Sequence, residues 1–144
     1  MRGLAPVEAL VQVGDVEMRY VRAGQGSPVI LLTDEDPAAA ARTPLHASLA
    51  TSFRVVSAAP SPDVPIGTWL LCLIDGLGLE GPALVVASMS ATWAEALVGE
   101  AEASCGGHVR HVARAHPGRP IPALIRLDLH RTAKARSDRR GRGD

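Results

Sequence analysis

The sequence is poor in several residue types, and each shortage excludes a class of protein. It has four aromatic residues, Tyr20, Phe53, Trp69 and Trp93, and none beyond position 93. That scarcity argues against base stacking on single-stranded nucleic acid. Two cysteines, Cys72 and Cys105, make neither a disulfide framework nor a metal cluster, and Cys72 in its apolar run reads as a small core residue. Uninterrupted apolar runs such as Ala83–Ala87 are far too short to span a membrane. The first eight residues carry no apolar stretch of the secretory type, so a cytoplasmic location is expected. Lysine is almost missing: of 15 basic residues, 14 are arginine and only Lys134 is lysine.

The 15 basic and 15 acidic residues cancel, but they are segregated. Residues 1–107 carry 5 basic and 12 acidic side chains, a net of −7, whereas residues 108–144 carry 10 and 3, a net of +7. A chain of 144 residues with 47% hydrophobic content suits one compact domain with a real core. Residues 131–144 hold six cations and no large apolar side chain. They read as an Arg-rich, disordered tail appended to a domain over 1–130. Such a tail could hold an anionic partner through charge, but no groove-reading motif accompanies it, so nucleic acid is not the expected partner.

Within the domain, strand and helix signals alternate. Leu10–Val13 and Glu17–Val21 form an N-terminal β-hairpin through the Gly14-Asp15 turn. Pro28–Leu32 is a continuous apolar run, as in a strand covered on both faces. Asp36 followed by Pro37 is a helix start, and Pro44 interrupts that helix before a packed portion over 45–52. A strand at Arg54–Ser57 precedes the clearest helix. There Ile66, Trp69, Leu70, Leu73, Ile74 and Leu77 recur with helical spacing, and Gly76 and Gly78 end the run. Ala83–Ala87 is a third buried strand and 89–103 a further helix. Val109–Ala115 reads as a strand, and so does 125–130, where Ile125, Leu127 and Leu129 alternate with Arg126, Asp128 and His130. The fold class is α/β, with a mostly parallel sheet and flanking helices.

The succession of hairpin, Gly-rich turn, apolar strand, helix, Phe53–Pro60, amphipathic helix and Leu77–Ala91 resembles the first half of the α/β-hydrolase family, in truncated form. The likeness covers about residues 10–103 and extends weakly through His108–Val112 and Ile121–Ile125. It implies that Ser88 stands at the nucleophile position, that the backbone N–H of Met89 is one oxyanion donor, and that Glu35 occupies the place of the second. The family's nucleophile sits in a strained strand-to-helix turn between two glycines; here those positions are Val86 and Ser90. The alternative role for Ser88 is a helix N-cap.

Charge argues against hydrolysis. Asp34, Glu35 and Asp36 crowd the place where an oxyanion would form. One carboxylate at about 6 Å and an effective dielectric near 20 costs about 3 kcal/mol, comparable to the roughly 3–4 kcal/mol that one oxyanion donor supplies. The later triad members are missing from the pattern: Arg131 stands near the acid position with Asp128 slightly early, and His108, His111, His116 and His130 match no catalytic histidine. A hard cation would suit the acidic trio, but no further carboxylate completes a shell, and neither metal nor cofactor is expected. The reading is a truncated or degenerate α/β-hydrolase-fold protein with little or no hydrolase activity. Its expected partners are a small ester-like ligand and a second copy docking through an exposed sheet edge. The alternatives are an active serine esterase using Ser88, and an anion binder using the Arg-rich end.

Overall fold

A computed structural model describes residues 6–61, 63–105 and 107–130. The expected tail over 131–144 lies outside them. Chain order is β1 (Val7–Val13), β2 (Val16–Ala23), β3 (Pro28–Thr33), α1 (Pro37–Ala40), α2 (Pro44–Ala50), β4 (Arg54–Ala58), α3 (Ile66–Leu77), β5 (Ala83–Ala87), α4 (Ala91–Cys105) and β6 (His111–Ala115). A final helical stretch, α5, covers 123–130. The strands form one sheet in the order β1-β2-β4-β3-β5-β6. β1–β2 and β2–β4 are antiparallel; β4–β3, β3–β5 and β5–β6 are parallel. No helix among the described residues is long and apolar enough to cross a membrane.

The hydrophobic pattern explains the layering. Successive strand side chains point to opposite faces, so the apolar runs of β3 and β5 supply two cores at once. Ile30, Leu32, Leu84 and Val86 join Trp69, Leu70, Leu73, Leu97 and Ala101 of α3 and α4. Val29, Leu31, Val85 and Ala87 join Leu45, Leu49 and Phe53 on the other face, together with Ile121 and Leu129. The first cluster is why α3 shows so clear an apolar stripe: it lies along the sheet and buries Ile66, Trp69, Leu70, Leu73 and Ile74, with Leu77 half-buried at its end.

Local signals place the elements. Gly14 turns the hairpin at φ +61°. Asp36 caps α1, its side chain accepting from the N–H of Ala38 at 3.1 Å. Thr43 caps α2 in the same way, with Pro44 at its first position. Gly78 closes α3 in the left-handed region. Gly76 lies inside the helix rather than at its end, and a methyl group there would meet Val13 Cγ2 at 2.6 Å. Its bare Cα is what lets β1 approach α3.

Several boundaries differ from the sequence reading. The helix expected over 89–103 runs Ala91–Cys105, and β6 begins at His111 rather than 109. The larger correction is 125–130, which is not a strand but part of α5. Ile121 and Leu129 are buried and Ile125 half-buried, a spacing of four that faces one side of a helix. Leu127 falls on the other side and is exposed.

The amino ends of the parallel strands are tied by one side chain. Arg110 Nη1 donates to the carbonyls of Pro28 at 3.2 Å and Gly81 at 2.5 Å. The Arg110 backbone N–H donates to Pro82 at 3.0 Å. The entrances to β3, β5 and β6 are thereby fixed together, and the opposite, carboxyl end carries the loops of interest.

Candidate functional site

The register of β3 and β5 places the two halves of the site. Thr33 is paired with Ala87, so the residues that follow, Asp34 and Ser88, emerge side by side where open α/β sheets hold their ligands. Ser88 Oγ donates to Asp34 Oδ2 at 2.7 Å and accepts from the Ser90 N–H at 2.9 Å. Ser88 is 7% exposed, whereas its neighbour Met89 is 72% exposed. These two contacts are the only hydrogen bonds of the Ser88 hydroxyl among the described residues.

The turn itself is relaxed. No non-glycine among the described residues has positive φ, so Ser88 is not held in a strained conformation. Val86 is fully buried as an ordinary strand residue, and the helix starts only at Ala91. Ser90 rather than Ser88 caps it: Ser90 Oγ accepts from the Trp93 N–H at 3.2 Å and its carbonyl from the Ala94 N–H at 3.1 Å. With two residues of slack between Ser88 and α4, the chain turns without needing a glycine at either flank.

The opposite loop is self-contained. The Glu35 N–H donates to Thr33 Oγ1 at 3.1 Å, so the amide at the expected second-donor position already has a partner within its own turn. Asp36 is engaged at α1 and lies 3.8 Å from Arg19 Nη1. Asp34, Glu35 and Asp36 are all exposed. Among the described residues, no three His, Cys, Asp or Glu side chains converge on a point where a metal ion would be held.

The histidines are dispersed. His116 Nδ1 accepts from the Gly118 N–H at 3.0 Å, His130 stacks on Phe53 with ring centroids 4.4 Å apart, and His108 sits in a cleft beside Asp75 and Glu80 at the amino end of the sheet. His46, in the first turn of α2, carries no mark in the sequence. It is 1% exposed, its Nε2 has no hydrogen-bond partner among the described residues, and burial pushes its pKa below the ordinary imidazole value. A polar residue one position after the buried Leu45 gives no periodic signal that would have marked it.

No family model matches the chain, and no characterised protein sequence does. Solved structures do match. A serine hydrolase involved in carbazole degradation, CarC, is 22% identical over 76% of this chain and 47% of its own, with a TM-score of 0.58. An epoxide hydrolase from an endophytic Streptomyces is 17% identical over 79% and 37%, at 0.59. Naproxen esterase from Bacillus subtilis is 14% identical over 86% and 48%, at 0.61. The chain spans less than half the length of each. It has the α/β-hydrolase fold over that shared portion.

Proposed function

We propose that this chain is an α/β-hydrolase-fold protein with little or no hydrolase activity, and that the carboxyl end of its sheet serves to bind a small ester-like ligand or a partner. The observation that carries this reading is the double engagement of Ser88 Oγ. A nucleophilic serine passes its proton to a base that is itself held by a third group; here the hydroxyl donates to the exposed Asp34 and accepts from a helix-entry amide. Two further features support it. The Glu35 N–H is engaged by Thr33, which leaves the Met89 amide without the second donor that polarises a carbonyl. The Asp34 carboxylate lies at the hydroxyl itself, so charge developing on a carbonyl oxygen attacked from there would be repelled rather than stabilised.

The test is labelling by a fluorescent fluorophosphonate, with Ser88→Ala and a folded-state check by circular dichroism alongside. No labelling of folded wild-type protein is the expected result. Labelling that disappears in Ser88→Ala would replace this reading with that of an active serine esterase, with Asp34 the side chain to examine as its base.

A further inference from the structure

The geometry points to the cleft along α5 as a binding site for a small organic carboxylate with an apolar body, apart from the loops around Ser88. Three contacts fasten this segment. The Ile121 N–H donates to Ser48 Oγ at 2.7 Å, Arg126 Nη2 donates to the Ser48 carbonyl at 3.3 Å, and His130 stacks on Phe53, the residue before β4. The entry, middle and end of α5 are thereby held against α2 and the start of β4. The cleft beside it has a volume of about 280 Å³ and is lined by Ile121, Ala123, Arg126, Leu127 and His130. That is the share of about nine waters in the liquid, and no carboxylate lines it.

Arg126 sets the chemistry of the ligand. The exposed arginines Arg19 and Arg114 each have a carboxylate partner, Glu8 and Glu95. Arg126 is more buried than either, yet its one hydrogen bond among the described residues is to a neutral carbonyl, and its Nε is buried without a partner there. A guanidinium has five N–H donors and a charge it cannot shed, and drawing that charge out of water is costly unless a counter-charge is near. The bond to Ser48, in the last turn of α2, holds the side chain in place and leaves its charge uncompensated. A carboxylate supplies the missing charge and matches the planar fork of a guanidinium. His130, whose ring nitrogens have no hydrogen-bond partner among the described residues, adds a further N–H donor. Ile121, Ala123 and Leu127 give the cleft an apolar wall for the rest of the ligand. A neutral or cationic molecule of the same shape gains only that wall.

Hexanoate titrated calorimetrically into the full chain is expected to bind with a dissociation constant of about 1 mM or below. Hexanol, hexylammonium and inorganic phosphate are each expected to bind at least about tenfold more weakly. Arg126→Gln, which removes the charge, is expected to weaken hexanoate at least about tenfold. Arg126→Lys restores the charge without the fork and should fall between the two. Arg126 also holds α2, so a second variant decides should Arg126→Gln fail to fold. Leu127 is 49% exposed; Leu127→Glu sets a carboxylate in the cleft and is expected to abolish hexanoate binding with the thermal midpoint unchanged. No binding of hexanoate up to about 10 mM, equal affinity for any of the three control molecules, or affinity undiminished by Leu127→Glu or by a folded Arg126→Gln would overturn the proposal.

Discussion

Ser88 and Asp34, 54 positions apart in sequence, share a hydrogen bond of 2.7 Å at the carboxyl end of adjacent parallel strands. The contact follows directly from the register that pairs Thr33 with Ala87. It joins the β5–α4 turn to the acidic loop after β3, and it gives the serine a structural task whatever else it does.

That task predicts a measurable loss of stability in Ser88→Ala. A hydrogen bond to a charged acceptor contributes about 1.5–3 kcal/mol when shielded, and Asp34 is exposed, so about 1 kcal/mol is expected. Asp34→Ala should cost a similar amount, and the double variant less than the sum. Urea unfolding of the four proteins measures the coupling; strictly additive losses would mean that the contact contributes nothing.

His46 predicts an acid-sensitive fold. Its pKa is lowered by burial in the native state, so between that value and about 6.5 the unfolded chain binds a proton that the native chain does not. Stability therefore rises with pH across that window, and is lost as pH falls through it. Above the window His46 contributes no pH dependence. His46→Gln should flatten this part of the profile, measured as thermal midpoint from pH 5 to 8.

Phe53 predicts a local response. It is fully buried, stacks on His130 and shares its cluster with Ile121 and Leu129. Phe53→Ala should cost about 3–5 kcal/mol. Hydrogen exchange should rise more over 123–130 than over α3, which belongs to the opposite core.

Two glycines with positive φ predict different penalties. A methyl at Gly24, φ +82°, would lie 2.2 Å from the Phe53 carbonyl oxygen and 2.6 Å from that of Ala50, whereas Gly78 at φ +63° faces open space. Gly24→Ala should cost about 3 kcal/mol or more, and Gly78→Ala about 1 kcal/mol. Equal losses would mean that backbone conformation alone, without the close approach, sets the cost.

Much of this architecture is legible in the sequence because its signals are local. The Gly14-Asp15 turn, the Asp36-Pro37 helix start and the stripe of α3 each rest on a few neighbouring residues whose preferences agree with the fold. Sequence alone does not settle 125–130, because Ile125, Leu127 and Leu129 satisfy a two-residue alternation as readily as Ile121, Ile125 and Leu129 satisfy a four-residue one. Only the cluster around Phe53 decides between them. The start of α4 is ambiguous in the sequence for a related reason: Ser88 and Ser90 are both competent caps, and the length of slack after β5 selects the second. The engagement of Ser88 by Asp34, and of the Glu35 amide by Thr33, depends on strand register and turn geometry, which no residue spacing announces.

The Arg110 tie has a consequence for how such a chain can change over time. One guanidinium holds carbonyls that are 82 and 29 positions away in sequence, all at the end of the sheet remote from Ser88. The fastening of the strands and the candidate site thereby lie at opposite ends of the same strands. Mutations can accumulate around Asp34 and Ser88 without unfastening the sheet, so the scaffold can outlive a vocation and be recruited to another.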